Sequence, residues 1–490
     1  MSSTSVTLDD KYTLETGRVY LTGIQALVRL PLIQRKRDLA NGLTTGGFIS
    51  GYRGSPLGGY DQALNNARRF LAAQNIHFQP GVNEDLAATS VWGSQQIGLT
   101  PNPNVDGVFG VWYGKGPGVD RAMDVFKHAN SAGTSPTGGV LALLGDDHGC
   151  QSSTLAHQSE QVIAAAMMPI LNPASVQEYI DFGIYGFALS RYTGCWVGFK
   201  AVTEIVESSA SVSVHPGRLS FVTPTDFEMP PGGLGIRWPD RPLDQEARLH
   251  GPKMAAIAAF ARANPIDRTV WDSPDARIGI LTTGKAYQDT LQALEDLGIN
   301  AARAKEMGLR VYKVGLTWPL EVEGARRFAQ GLEEVIVVEE KRGFIEDQFI
   351  KILYNEPKRP VVIGKTYEDG RLLFPSAGEL DPGQIAQALG ERMLARFGEN
   401  QQLRQRLAWL QDKLGAQSTP ASSVARTPFF CSGCPHNTST RVPEGSRAMG
   451  GIGCHGMVLQ IPERRTSLIT HMGGEGATWI GQAPFTDEQH

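Results

Sequence analysis

Thr45-Gly-Gly-Phe-Ile-Ser50 is a short apolar run that passes into Gly51-Tyr-Arg-Gly-Ser-Pro-Leu-Gly-Gly59 and then into a helix-length amphipathic stretch, Tyr60 to Ala73. A buried strand, a glycine-rich loop and a helix in that order are the repeating half-unit of a parallel α/β layer. The alternation continues outward. Asp85 to Gln96 reads as a helix, Gly107-Val-Phe-Gly-Val-Trp112 and Gly139-Val-Leu-Ala-Leu-Leu-Gly145 as strands, Ser175 to Ser190 as a helix, and Trp196-Val-Gly-Phe-Lys200 as a strand. Strands that are apolar throughout, rather than at alternate positions, are required where helices cover both faces of a sheet. Residues 1–225 are therefore read as one α/β domain.

Pro, Gly and Arg crowd the next segment, as in Pro230-Pro-Gly-Gly-Leu-Gly235 and Trp238-Pro-Asp-Arg-Pro-Leu243, which predicts a surface linker over 226–270. A second α/β set follows over 271–370. Its strands are Arg277-Ile-Gly-Ile-Leu-Thr282, Val311-Tyr-Lys-Val314, Val335-Ile-Val-Val338 and Pro360-Val-Val-Ile363, with helices at Tyr287 to Leu297 and near 319–330 and 343–354. A helical linker spans 371–426, with the helix Gln401 to Leu414 and then Gln417-Ser-Thr-Pro-Ala-Ser-Ser423. A third domain opens at Thr427-Pro-Phe-Phe430 and is represented by the 64 residues 427–490.

Composition limits the function classes. With 490 residues the chain is about three times the usual domain length of about 150. Glycine supplies 56 residues, above the usual share of about 7%, so backbone must turn tightly or approach a ligand closely. The formal charge is −4, from 46 Lys and Arg against 50 Asp and Glu, which gives no reason to expect a nucleic-acid partner. Mixed clusters such as Arg35-Lys-Arg-Asp38 read as solvated helix faces. There is no basic-then-apolar leader and no apolar run near the roughly 18 residues that span a bilayer, so no membrane partner and a cytoplasmic location are expected. Five cysteines, odd in number, argue against a secreted disulfide framework.

Three of those cysteines fall within 24 residues, in Cys431-Ser-Gly-Cys434-Pro-His436 and Gly451-Ile-Gly-Cys454-His455. This spacing is compatible with three ligands of an iron–sulfur cluster, with a zinc site completed by His436 or His455, with a redox dithiol, or with ordinary buried thiols. Cys150 and Cys195 read as small packing residues. The loop Gly51–Gly59 exposes backbone N–H groups where a strand turns into a helix, and Arg53 and Ser55 add side-chain donors suited to a carboxylate or phosphate. It matches neither the dinucleotide fingerprint nor the P-loop pattern. In Val82-Asn83-Glu84-Asp85, Asn83 has the chemistry of a helix cap, and Glu84 is either a further capping carboxylate or an acid that exchanges a proton with a bound heteroaromatic. Gly145-Asp-Asp-His-Gly-Cys-Gln-Ser-Ser153 lies beyond the carboxyl end of a strand, where open α/β sheets bind ligands. His148 and His157 are candidate acid–base groups there, against the plainer reading of exposed loop histidines.

Taken in order, the segments at 51–59, 81–85, 145–153, 431–436, 451–455 and 473–482 (Gly473-Gly-Glu-Gly-Ala-Thr-Trp-Ile-Gly-Gln482) resemble the fused indolepyruvate ferredoxin oxidoreductases, within the 2-oxoacid:ferredoxin oxidoreductases. The resemblance covers nearly the whole chain. It implies an α/β thiamin diphosphate-binding fold: a pyrimidine-binding domain first, a transketolase C-terminal-like domain second, and the start of a diphosphate-binding domain third. It implies that Glu84 hydrogen-bonds the aminopyrimidine, that Gly54 lies at the cofactor, and that Arg53 and Ser55 face the carboxylate of the 2-oxo acid. Cys431, Cys434 and Cys454 match three ligands of a [4Fe–4S] cluster. The implied reaction is oxidative decarboxylation of a 2-oxo acid, an aryl pyruvate such as indolepyruvate, to an acyl-CoA, with coenzyme A and ferredoxin as partners and a homodimer as the assembly.

The chain departs from that family at its far end. The G-D-[GS]-T-like loop that holds Mg2+ and the diphosphate, the fourth cluster cysteine and the gamma-type domain are absent from residues 427–490. The expectation is an N-terminal part of a longer polypeptide, or a truncated product, that does not turn over alone. Two other readings stand beside it: a non-catalytic binding or assembly fragment, and a thiamin decarboxylase or transketolase relative without iron.

Overall fold

The computed structural model describes residues 6–417 and 429–487. Residues 418–423 of the Gln417–Ser423 linker and the Thr427-Pro428 opening of the third domain lie outside the described residues, as do residues 1–5 of the N-terminal leader reading. The described residues divide between two compact units, bounded as 1–151 with 156–411 and as 152–155 with 412–490.

The larger unit holds a seven-stranded sheet, a five-stranded sheet and a two-stranded one. Its strands are β1 (Arg18–Thr22), β2 (Gly46–Gly51), β3 (Ile76–Phe78), β4 (Val108–Lys115), β5 (Val140–Gly145), β6 (Ile170–Leu171), β7 (Val197–Lys200) and β8 (Ser209–Ser213). They are followed by β9 (Arg268–Trp271), β10 (Ile278–Thr283), β11 (Leu309–Val314), β12 (Leu316–Trp318), β13 (Glu334–Val338) and β14 (Val361–Ile363). The first sheet runs β12-β6-β7-β5-β4-β2-β3 and is parallel except for β12, which pairs antiparallel with β6. All six residues of β5 are buried, as its uninterrupted apolar run requires. The second sheet runs β14-β13-β10-β11-β9, parallel except for the antiparallel β9.

Several elements depart from the sequence reading. The Tyr60–Ala73 stretch forms two short helices, Tyr60–Asn66 and Arg68–Ala72. β1, which pairs antiparallel with the later β8, and the helix Gly23–Ala40 precede the first predicted strand. Thr22 starts that helix with a capping box: its Oγ accepts from Gln25 N at 3.2 Å and its N–H donates to Gln25 Oε1 at 3.1 Å. The Arg35–Asp38 cluster is not a solvated face. Asp38 is 1% exposed and accepts from both guanidinium ends of Arg191, at 2.7 and 2.8 Å, and from the Thr45 hydroxyl at 2.7 Å.

The 226–270 segment is likewise not linker throughout. Residues Pro242–Ala263 are helical, with a π turn at Leu249–Lys253 around Pro252. The physical reason is twofold. Ile257 and Phe260 give this helix an apolar face, and Phe260 packs at 5.3 Å from Tyr185 and 5.5 Å from Tyr192 between ring centroids. Lys253, fully buried, donates through Nζ to the carbonyls of Asn130 (2.9 Å), Gly194 (3.1 Å) and Ser131 (3.4 Å), thereby satisfying the carboxyl ends of the helices Met123–Ala132 and Val176–Thr193.

The smaller unit contains a two-stranded parallel sheet, β15 (Ala448–Gly450) with β16 (Thr466–Ile469), beside a 3-10 segment at Gly453–Gln460. Among the described residues no helix is long and apolar enough to cross a membrane.

Candidate active site

Glu84 is the first residue of the helix Glu84–Gln95, which follows β3. Asn83 caps this helix, its Oδ1 accepting from Leu86 N at 2.9 Å, so the capping job is taken and the Glu84 side chain is released from it. Glu84 is 3% exposed and its carbonyl accepts from the indole N–H of buried Trp112 at 3.0 Å. Burial pushes the carboxyl above its ordinary range, and Asp85 adds to that; the backbone N–H of Glu84 and the Arg121 guanidinium pull the other way. Arg121 is itself engaged by Asp85 at 2.8 Å. Against the carboxyl lies Gly118, in the helix Gly116–Arg121 that follows β4; a Cβ there would fall 2.5 Å from Glu84 Cγ. Glu84 is thus a buried acid of raised proton affinity packed against a glycine.

The glycine-rich loop starts at the carboxyl end of β2. Gly51 is required sterically, because a Cβ would sit 2.2 Å from the Tyr113 carbonyl oxygen. Its own carbonyl accepts from Gly81 N at 2.9 Å, tying the loop to the turn that delivers Glu84. Arg53 is exposed, and Gly54 and Ser55 are half-buried. Gly54 lies against the stem of Lys115, the last residue of β4, with a Cβ position 3.0 Å from Lys115 Cβ. Burial lowers the Lys115 ammonium, while Asp147 and Cys150 act to raise it. Tyr113 anchors the far side by donating to Asp61 at 2.6 Å.

The first three residues after β5 are buried where the sequence suggested solvent, and the loop is largely exposed from Gln151 to Ala156. Asp146, Asp147 and His148 are 0%, 2% and 2% exposed. His148 Nδ1 faces the His157 carbonyl at 2.9 Å, which fixes its proton there and leaves Nε2 to accept from Lys200 Nζ at 3.3 Å. Burial, seconded by Lys200, pushes His148 down to about 3, so the ring is neutral. Lys200 also binds Glu160 at 2.6 Å and Asp146 at 3.3 Å, and Ser159 donates to Asp146 through both N–H and hydroxyl. Burial alone would raise Asp146, but Lys200, His148 and Ser159 outweigh it and hold the carboxyl low; burial raises Glu160 against the pull of Lys200. His157 is partnered by Asp120 at 2.9 Å, and its ring fills the place where a Gly116 side chain would go.

Across from this network, at the carboxyl ends of the second sheet, Lys285 meets Asp289 (2.7 Å), Glu379 (3.0 Å) and Glu340 (3.1 Å). Glu204 shares a carboxyl–carboxyl hydrogen bond with Glu379. Burial and this neighbour push Glu204 up to about 7. Lys200, Glu160 and Lys285 were not singled out from sequence. The available signal was Lys200 itself, a charge closing the apolar strand Trp196–Lys200, which burial on both faces obliges to find partners.

The cysteines belong to the smaller unit. Cys434 N donates to the Cys431 carbonyl at 3.0 Å in a turn, and the rings of His436 and His455 lie 5.6 Å apart. His455 Nδ1 accepts from Gly451 N at 2.6 Å. Cys431 and Cys454 are exposed and Cys434 is half-buried. Among the described residues, no three His, Cys, Asp or Glu side chains come together as a metal-binding group. The Cys431, Cys434 and Cys454 thiols are accordingly not gathered around a single point in this arrangement. Of the two other cysteines, Cys195 packs fully buried, whereas Cys150 is half-buried with a positive φ of 55° in the loop after β5.

Residues 268–417 match the model of the indolepyruvate oxidoreductase domain. The indolepyruvate oxidoreductase subunit IorA of Pyrococcus abyssi is 23% identical over 474 residues, covering 93% of this chain, which spans 64% of that relative's length. IorA of Methanothermobacter thermautotrophicus is 23% identical over 492 residues, covering 97% of this chain and 70% of the relative. Among solved structures, a 2-oxoglutarate:ferredoxin oxidoreductase from Magnetococcus marinus, with 2-oxoglutarate, coenzyme A and succinyl-CoA bound, superposes with a TM-score of 0.53 at 15% identity, over 77% of this chain and 65% of its own. That likeness shows a shared α/β fold.

Proposed function

We propose that the chain is a member of the indolepyruvate oxidoreductase family, that it binds thiamin diphosphate, and that it serves the oxidative decarboxylation of a 2-oxo acid, an aryl pyruvate such as indolepyruvate, to an acyl-CoA; the matched domain and the IorA relatives support this reading. The observation that carries this reading is Glu84, a buried carboxyl with raised proton affinity set against Gly118. When bound, thiamin diphosphate supplies the nucleophilic carbon and the electron sink for loss of carbon dioxide. Glu84 holds and returns a proton at the aminopyrimidine ring. Arg53 and Ser55 receive the carboxylate of the 2-oxo acid, and Gly54 lets the cofactor approach the loop backbone.

The Asp146–His148–Lys200–Glu160 network has a supporting part in this reading: it holds the loop after β5 in one buried arrangement at the strand ends, where the substrate would enter. Coenzyme A is the proposed acyl acceptor, ferredoxin the electron acceptor, and a homodimer the assembly. The test is reduction of a viologen dye by the protein as its cell makes it, supplied anaerobically with coenzyme A, thiamin diphosphate and a panel of 2-oxo acids. Thiamin-dependent reduction that is lost in Glu84→Gln is expected. Absence of reduction with every 2-oxo acid, or a Glu84→Gln variant as active as wild type, overturns the proposal.

A further inference from the structure

A large hollow in the surface of the described residues lies away from Glu84. It encloses about 940 Å³ between the far end of the helix Glu84–Gln95, the last turns of the helix Met123–Ala132, and the extended chain 236–242. Trp92 stands eight residues after Glu84 on the same helix, about 12 Å along it. Trp92, Leu99, Ile236, Trp238 and Pro242 make its wall mainly apolar. Trp238 is 79% exposed at the rim, an unusual cost for an indole that nothing covers. A roomy apolar hollow with a few polar groups is the ordinary form of a small-molecule site.

The polar groups of the wall select the ligand. Lys127, His128 and Arg237 face the hollow, and among the described residues Lys127 has no ion-pair partner. His128 is near Asp124 (3.5 Å) on its own helix. The acid of the lining, Asp240, is claimed by Arg248 through both carboxylate oxygens. Two donors, Trp92 Nε1 and Arg237 Nε, have no acceptor among the described residues. The wall therefore offers aromatic faces and two cationic side chains, Lys127 and Arg237, the latter steadied by the Gly232 and Gly233 carbonyls, beside the neutral polar groups of Gln96, Thr100, Ser131 and Gln245. We propose that this hollow is a binding site for a planar aromatic ring carrying an anionic group, the ring against Trp238 and Trp92 and the anion toward Arg237 and Lys127.

An aryl carboxylate and a nucleotide share this chemistry, and the site does not depend on the reaction proposed above. The test is titration of the intact protein, by calorimetry and by quenching of tryptophan fluorescence, with indole-3-acetate, with AMP and with uncharged 3-methylindole. Saturable binding of one of the two anions, at least tenfold tighter than 3-methylindole, is expected, and whichever anion binds identifies the source. Trp238→Ala, which truncates an exposed side chain, should weaken that binding at least tenfold, and Lys127→Glu should weaken it at low salt while leaving the melting temperature unchanged. The proposal is overturned if neither anion saturates at millimolar concentration, if 3-methylindole binds as well as the anions, or if Trp238→Ala changes only the oligomeric state in light scattering.

Discussion

Gly118 and Glu84 are packed so closely that a Cβ on Gly118 would lie 2.5 Å from Glu84 Cγ and 2.7 Å from Oε1. The glycine is thus part of the site. Gly118→Ala should cost about 1–3 kcal/mol of stability as the clash is absorbed, and should displace the Glu84 carboxyl. Denaturant unfolding and thiamin diphosphate titration together check it: a variant as stable as wild type with unaltered cofactor affinity would show that Glu84 has room to spare.

Glu84→Gln keeps the volume and removes the exchangeable proton. Since Asn83 caps the helix, the substitution should leave the melting temperature at or slightly above that of wild type while turnover falls about 10²- to 10⁴-fold, the usual worth of a positioned acid–base group. A parallel loss of helicity would instead assign Glu84 a capping role.

Glu204 gives the fold a pH dependence. Its folded value of about 7 lies above its ordinary 4.5, so it binds its proton more tightly in the folded than in the unfolded chain. The stability it contributes is fully present below 4.5 and is lost as pH rises through 7. Melting temperatures of Glu204→Gln measured from pH 5 to 8 should fall less steeply than those of wild type, and the variant should be the more stable at pH 8. Identical slopes would mean that Glu379 or the Lys285 cluster carries the titration instead.

Lys200→Met strands two carboxyls, Asp146 and Glu160, at a site closed to water. A loss of about 3–5 kcal/mol is expected, as for other buried pairs broken on one side. Denaturant unfolding reads it. The double variant Lys200→Met with Glu160→Gln should recover part of the loss, because one of the stranded charges is gone.

Lys253→Met removes the donor shared by the carbonyls of Asn130, Ser131 and Gly194. About 1–3 kcal/mol per unsatisfied buried group is at stake, and hydrogen exchange should rise at the carboxyl ends of the helices Met123–Ala132 and Val176–Thr193 rather than uniformly.

The strands were legible because burial on both faces writes itself as an unbroken apolar run, as in Val140–Gly145. The helix Gly23–Ala40 was not, since four of its buried residues, Arg29, Gln34, Arg35 and Asp38, are polar and blur its periodicity; partners distant in sequence, such as Arg191, make their burial tolerable. The helix at 242–263 was hidden by Pro242 and Pro252, which sit at a first turn and in a π turn, two places where proline is accommodated. Glu84, Asn83 and the Gly51–Gly59 loop could be picked out locally. The Lys200 network could not, because Asp146 and His148, Glu160, and Lys200 come from three separate stretches that only the parallel crossovers gather at the strand ends.

The antiparallel pairing of β12 with β6 makes the first sheet incomplete until residue 318 has been added to it. A ribosome releasing this chain would present a bare β6 edge through some 150 residues of synthesis, including all of β9 to β11. Leu316–Trp318 therefore acts as a latch: it closes that margin late, and it makes the early α/β layer a debtor to sequence far downstream.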